Sequence, residues 1–522
     1  MMFILGFITI IVITFVICVA IGTVVGIGIG IGMDNGSDIG AVISKAYSNI
    51  VGNVKGTGNG IAIGTVVGAI IGIFISGFIG ILGTVVNTGT GTSALLGFSG
   101  VCVVAFIGNV IGYTVAIRRG TVFVRKVYCP FCFESIKLTE IKFFCKHCNV
   151  AIHHEPSFLE RCGIIRLSSM RCSCGHVSAF KVCPHPDCGL ELPNQIADLP
   201  DISIAIIGAA GVGKTHYIAL LIQRIKELTD VFDWSLTPID NETVTRYTRE
   251  FYEPLFNHHT TIPATQAGER IRPLLYSLRL KTRLPHLFSR LNDSLPGFLR
   301  LKKQKKIMLA FFDTAGENIN KELHEMDTIG RYVCNAAGII CLLDPLQMSL
   351  VREELQRKIE LPPQTTDTAQ VLNQMFRLIQ YGFNVQGRKM TRNDQVPIPL
   401  AVTFSKIDAI SAPDENCPPT LLHESNALYQ ESRHTGHLNL GDFINISDHM
   451  RDWLDVVDKS HEIKQTCNHF EKCVFFGVSA LGENPTVSGT KEVLSRDPRP
   501  RRVEDPFLWI LSQCKLVDVV SD

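Results

Sequence analysis

Three long stretches at the start of the chain carry no charge: Met1–Met33, Ile61–Val86 and Ala94–Ile117. A bilayer span takes ~20 apolar residues at ~1.5 Å of rise each, so this pattern predicts three transmembrane helices within residues 1–117. Beyond Ile117 the pattern changes. Short apolar runs stand at Ile202–Ile207, Pro273–Thr282, Ile307–Phe312, Gly338–Leu343, Leu400–Phe404 and Cys473–Val478. Helical periodicity follows the first run over His216–Thr229 and closes the chain at Asp505–Cys514, with Phe507, Leu508, Ile510 and Leu511 inward. Continuous apolar runs of this length, separated by helical stretches, predict buried strands in a doubly wound α/β sheet.

Composition sharpens the division. The 522 residues hold 50 Lys+Arg against 49 Asp+Glu, a formal charge of +1. That balance excludes a strongly basic nucleic-acid binder and an acidic disordered chain, and nucleic acid is not expected as a partner. Residues 1–117 contain more than half of the 43 Gly but only four charges, Asp34, Asp38, Lys45 and Lys55. The first stretch is too long, and lacks the basic start, for a cleaved signal peptide. Arg118, Arg119, Arg125 and Lys126 follow the third stretch. The positive-inside rule then makes this a multi-pass membrane protein with its C-terminal part in the cytoplasm, in the inner membrane if the source is bacterial. The segment Ala20–Gly26 recurs at Ala62–Gly68, and Gly22/Gly26, Gly64/Gly68 and Gly68/Gly72 have small-xxx-small spacing. Such spacing serves close helix packing, either within one chain or in self-association.

Residues 118–195 form a cysteine-rich block. Cys129/Cys132 and Cys145/Cys148 are two C-x-x-C knuckles separated by 12 residues. Each knuckle turns two thiolates to one side, and two knuckles complete a tetrahedral Zn²⁺ site. Cys172, Cys174, Cys183 and Cys188 supply a second set, with Cys162, His176 and His185 as candidate substitutes. Disulfides conflict with a cytoplasmic setting. A site closed by four thiolates has no open position for chemistry, so about two structural zinc ions are expected.

Residues 196–522 carry the chemistry. The run Ile202–Ile207 leads into Gly208-Ala209-Ala210-Gly211-Val212-Gly213-Lys214-Thr215, which is G-x-x-x-x-G-K-[ST] between a strand and a helix. In that setting backbone N–H groups wrap phosphates, Lys214 reaches the β- and γ-phosphates, and Thr215 ligates Mg²⁺. The run Ile307–Phe312 ends at Asp313-Thr314-Ala315-Gly316-Glu317. Asp313 is placed to hold Mg²⁺, directly or through water, and the Gly316 N–H to sense the γ-phosphate. Later runs end at Asp344, at Ser405-Lys406-Ile407-Asp408 and at Ser479-Ala480-Leu481.

Taken in order, Gly208–Thr215, Asp313–Glu317, Ser405–Asp408 and Ser479–Leu481 resemble the phosphate, switch and guanine motifs of translation-factor- and Ras-class P-loop GTPases, over roughly residues 200–516. The resemblance implies GTP and GDP as ligands. Asp408 would accept hydrogen bonds from guanine N1 and N2, Lys406 would pack over the base, and the Ala480 N–H would read guanine O6. Ser405 stands where the family has Asn or Thr, Glu317 where Ras-type members have a water-orienting Gln, and Ala210 where Gly is usual. These departures bear on the rate of hydrolysis rather than on binding. Glycine-rich membrane segments, zinc knuckles and a divergent nucleotide domain together also resemble bacterial double-GTPase proteins of conflict systems, which implies a companion GTPase or effector protein.

Thr260, Thr261 and Thr265 lie together before the run Pro273–Thr282, and Thr265 is the first choice for the switch threonine, with Thr261 behind it. An insertion, Arg283–Lys306, separates two of the strand runs. From Glu269 to Lys306 there are 11 Lys/Arg and two acidic residues among interspersed Leu and Phe. This suits either a solvated amphipathic helix or a contact with anionic lipid. Two functions compete: a GTP-hydrolysing membrane switch, and a nucleotide-binding effector or scaffold with little turnover. A P-loop ATPase is disfavoured, because Ser405–Asp408 and Ser479–Leu481 together specify guanine.

Overall fold

A computed structural model describes residues 126–522 apart from 138–139, 153–171, 177–178, 195, 197–200, 264–271, 282–303, 314–327, 358–360, 366, 389, 391–392, 414–417, 431, 433, 435, 490, 518 and 521–522. The described residues belong to one compact unit, Lys126–His154 with Arg166–Asp522. The cysteine block and the α/β sheet therefore pack as a single body.

The cysteine block is built on short strands: β1 (Lys126–Tyr128), β2 (Ser135–Lys137), β3 (Lys142–Cys145), β4 (Ala151–Ile152), β5 (Ala179–Val182) and β6 (Glu191–Leu192). β1 and β2 form a hairpin, and the other four make a sheet in the order β4-β3-β5-β6. β3 and β5 run antiparallel, with Lys142 opposite Val182 and Cys145 opposite Ala179.

The large sheet has seven strands: β7 (Asp201–Gly208), β8 (Ser235–Pro238), β9 (Leu274–Lys281), β10 (Gln304–Phe311), β11 (Gly338–Leu343), β12 (Leu400–Phe404) and β13 (Cys473–Gly477). Their spatial order is β13-β12-β11-β7-β10-β9-β8. Strands β13, β12, β11, β7 and β10 are parallel, while β9 is antiparallel to both β10 and β8. The sheet is therefore mixed. β11 and β12 are buried along their whole length, which is why their sequences are continuously apolar rather than alternating. Helices α1 (Lys214–Glu227), α2 (Thr328–Cys334), α3 (Thr368–Val385), α4 (Leu440–Val457) and α5 (Asp505–Gln513) accompany the strands. Their apolar faces join one core with the sheet, where Ile206, Leu220, Ile340, Val402, Phe476 and Leu508 are each at most 2% exposed.

The start of α5 is held by buried charge. Arg502 Nη1 donates to Asp442 Oδ2 (3.0 Å) and Asp505 Oδ2 (2.7 Å), and Arg224 Nη2 on α1 donates to Glu504 Oε1 (2.8 Å).

The membrane expectation is corrected. Among the described residues no helix is long and apolar enough to cross a membrane. The longest, α3 and α4 at 18 residues each, are amphipathic, and α4 exposes Asp448, Arg451, Asp452 and Asp455 on its outer side. The multi-pass placement with a cytoplasmic C-terminal part is withdrawn on this finding. The three stretches that motivated it, within 1–117, lie outside the described residues, as do 283–303 of the basic insertion.

Candidate functional site

In an open α/β sheet, ligands bind outside the carboxyl ends of the strands, where the strand order reverses direction. Here that point is β7, because the chain continues to β10 on one side and β11 on the other. The loop Ala209–Gly213 leaves β7 at this position and leads into α1. Two features of its glycines are geometric. Gly213 sits at φ 91°, a left-handed value at which a side chain is strained. At Gly208 a Cβ would lie 2.7 Å from the Leu342 carbonyl oxygen and 2.8 Å from Val212 Cγ1, so β7 can approach β11 only without one.

Lys214 is 6% exposed and donates through Nζ to the carbonyl of Gly208 at 3.0 Å. Burial pushes its ammonium down to about 8, against partial support from Asp313. Thr215 Oγ1 donates to Asp313 Oδ2 at 3.0 Å. This contact brings the residue that follows Lys214 to a carboxylate at the end of β10. A hydroxyl and a buried carboxylate in contact form a donor set suited to a hard cation such as Mg²⁺.

The ends of β12 and β13 complete the rim. Ser405, 7% exposed, is tied back to β11 by its N–H (2.9 Å) and Oγ (3.2 Å), both donating to the Leu343 carbonyl. Lys406, at φ 53°, turns its Nζ to the Gly211 carbonyl (2.9 Å) and to Asp344 Oδ2 (2.7 Å). Asp408 is half-buried in the short helical turn Ile407–Ile410. Fully buried Ser479 accepts from the Gly482 N–H at 3.1 Å, and half-buried Ala480 and Leu481 follow it. The ends of β10, β11 and β12 thus meet at this loop, and the end of β13 lies beside that of β12. Thr265, Gly316 and Glu317 lie outside the described residues.

Sequence reasoning overlooked two residues of this site. Asp344 was visible only as a strand end, yet it holds Lys406. His216 Nε2 accepts the Ile262 N–H at 3.0 Å, tying α1 to the segment before Thr265. Burial, with Lys406 nearby, pushes His216 down to about 4. Thr261, behind Thr265 as a switch candidate, instead pairs with Glu492 through its N–H (3.0 Å) and Oγ1 (3.2 Å).

The eight knuckle cysteines gather into two groups, but not those expected from spacing. Cys129, Cys132, Cys183 and Cys188 form one, and Cys145, Cys148, Cys172 and Cys174 the other, with the sulfurs of each group within 4.8 Å of one another. The sequence grouping of Cys129/Cys132 with Cys145/Cys148, and of Cys172/Cys174 with Cys183/Cys188, is corrected. The reason is the antiparallel pairing of β3 and β5. The turn after β3 carries Cys145/Cys148 and meets the turn before β5, which carries Cys172/Cys174. At the other end of β5, Cys183/Cys188 meet the β1–β2 knuckle. Four sulfur pairs lie 3.8, 3.9, 3.6 and 3.5 Å apart. A ZnS₄ tetrahedron with Zn–S of ~2.3 Å has edges of ~3.8 Å, whereas a disulfide is ~2.05 Å long. Both groups can hold zinc. Of the proposed substitutes, His176 Nδ1 is 3.6 Å from Cys174 Sγ, His185 joins neither group, and Cys162 lies outside the described residues.

No known family profile matches the chain. It is 27% identical over 183 residues to the putative ESX-1 scaffolding and assembly protein SaeC of Mycolicibacterium smegmatis, covering 34% of this chain and 41% of that protein. The chain thus spans less than half the length of this relative. Among solved structures it is similar to a chain of the signal recognition particle receptor SRb-GTP/SRX complex from Chaetomium thermophilum. There the identity is 14%, the coverage 54% of this chain and 93% of that one, and the TM-score 0.22. The fold described above rests on strand order and not on that likeness.

Proposed function

We propose that this protein binds a guanine nucleotide with Mg²⁺ at the carboxyl ends of β7, β10, β12 and β13, hydrolyses it, and carries two structural zinc ions. The observation that carries the reading is the contact of Lys406 Nζ with the Gly211 carbonyl at 2.9 Å, which joins the base-side motif to the phosphate loop. Around it the roles divide by chemistry. Backbone N–H groups of Gly208–Thr215 wrap the phosphates, and Lys214 supplies the cation that a polyphosphate needs. Thr215 and Asp313 would hold Mg²⁺, which neutralises charge on the phosphates. Asp408 takes guanine N1 and N2, and Ala480, braced between Ser479 and Leu481, takes O6. Thr265, Gly316 and Glu317 are assigned to the γ-phosphate side by resemblance. Phosphate release from GTP with Mg²⁺, by the full chain and by Lys214→Ala, tests the proposal. Turnover that survives the substitution contradicts it.

A second reading is a nucleotide-binding scaffold with little turnover. It is favoured by the similarity to a protein described as a putative scaffolding and assembly protein. Binding without phosphate release separates the two.

A further inference from the structure

The zinc block and the rim of the large sheet meet around Phe133. Phe133 follows the first knuckle, takes a left-handed backbone (φ 55°) and is 2% exposed, although the block around it is small. Its ring leaves that block and enters the main core. There it lies edge-on to Phe312, with centroids 5.5 Å apart, and tilted against Tyr332 at 4.7 Å. Phe312 is the residue before Asp313. Tyr332 ties the same place to β7, because its hydroxyl donates to the Ile204 carbonyl (2.6 Å) and accepts from the Ile206 N–H (3.2 Å).

Polar contacts repeat the link. Arg331 Nε donates to the Cys132 carbonyl at 3.0 Å, and Asn335 Nδ2 donates to the Phe133 carbonyl at 3.0 Å. Both residues belong to α2 or its end. Met308 of β10, 2% exposed, belongs to the same buried cluster as Cys129 and Cys183. The knuckle itself is fixed by the Phe133 N–H donating to the Cys129 carbonyl (2.9 Å) and the Cys129 N–H to the Glu134 carbonyl (2.9 Å). A zinc ion on Cys129, Cys132, Cys183 and Cys188 would lock that turn, and the turn aims Phe133.

We propose that this zinc centre sets the position of Asp313 through Phe133, making Phe133 a positioning residue and the metal centre a partner of the nucleotide site in one coupled equilibrium. Coupling between two sites is reciprocal. Zinc loss therefore loosens Phe311–Asp313, and a change of nucleotide state reaches the knuckle; only this second consequence rests on the nucleotide reading above.

The test is hydrogen exchange on the full chain, with zinc measured by elemental analysis. Phe133→Ala that retains both zinc ions should raise exchange at Ile206 and at Phe311–Asp313 by tenfold or more, and Phe133→Leu should restore most of the protection. Where Phe133→Ala loses zinc, Phe133→Leu with Arg331→Met or Asn335→Ala, which keep the cysteines and the turn's own backbone hydrogen bonds but remove contacts that hold the Cys132 or Phe133 carbonyl, serve in its place. Unchanged exchange at these amides in a zinc-retaining variant overturns the proposal. Separately, GDP and a hydrolysis-resistant GTP analogue should give different exchange at the Phe133 and Cys129 amides. If neither nucleotide binds while the Phe133→Ala effect holds, the nucleotide reading falls and the zinc-to-Asp313 link stands.

Discussion

Lys214 donates its ammonium hydrogen bond to the carbonyl of Gly208, the residue that opens its own loop, at 3.0 Å. A carbonyl is a weak partner for a buried cation, and burial accordingly lowers the ammonium from its ordinary 10.5 to about 8. The sign follows. Below pH 8 both folded and unfolded chains hold the proton, and the folded chain bears the full penalty, of the order of 3 kcal/mol. Stability contributed at this site rises as pH climbs from 8 to 10.5. A bound polyphosphate supplies the missing anion and favours the charged form. The upward shift of the unfolding midpoint by nucleotide should therefore be larger at pH 7 than at pH 9.5, and Lys214→Met should remove the shift at both.

His216 acts with the same sign in an acidic window. Its imidazole must stay neutral to accept the Ile262 N–H, and it is pushed down to about 4 from 6.5. Between these values the unfolded chain is protonated and the folded one is not, so stability falls as pH drops from 6.5 toward 4. His216→Gln, which keeps an acceptor, should flatten that part of the acid-denaturation profile. An unchanged profile would place the acid sensitivity elsewhere.

The crossed cysteine groups have a direct readout in metal content. Cys129→Ser/Cys188→Ser should leave about one zinc per chain, because both ligands belong to one site. Cys129→Ser/Cys148→Ser should leave none. Grouping by sequence neighbours would reverse the two results.

Much of this was legible in the chain. The strands β7, β11, β12 and β13 are nearly continuous apolar runs, largely buried, and their bounds fall within a few residues of expectation because few polar positions blur them. The loop Gly208–Thr215 was readable because its chemistry is local. The cysteine partnership was not, since it depends on which end of β3 lies beside which end of β5, a register that spacing does not encode. Nor was Phe133, whose partners Phe312 and Tyr332 are far along the chain. Helices α3 and α4 were missed for a different reason: their apolar positions are interrupted by Asn, Gln and Asp, and tertiary packing decides such segments more than propensity does.

Arg502 provides a test of the buried charges around α5. Its side chain is 3% exposed and serves both Asp442 and Asp505. Burial already pushes the Asp505 carboxyl up, and removing the cation takes the shared guanidinium from both Asp442 and Asp505, with His434 remaining beside Asp505 at 3.5 Å. Arg502→Met should destabilise the chain by about 3–5 kcal/mol. Arg502→Lys should recover only part, because one ammonium cannot reproduce the guanidinium fork. A loss below about 1 kcal/mol in the thermal or denaturant midpoint would mean that the network is solvated.

The nucleotide preference of Asp408→Asn tests the account most directly. A carboxylate that receives guanine N1–H and N2–H₂ finds no matching donors on adenine, and an unmatched buried polar site can discriminate by about 10⁴-fold. Titration of the full chain with fluorescent nucleotides in Mg²⁺ should show GTP bound and ATP excluded. Asp408→Asn should lose GTP and gain xanthosine triphosphate, whose ring has a carbonyl in place of the guanine amine. Equal affinity for GTP and ATP in the wild-type chain, or GTP binding unaffected by Asp408→Asn, would contradict the assignment of Ser405–Asp408 as the base-reading motif.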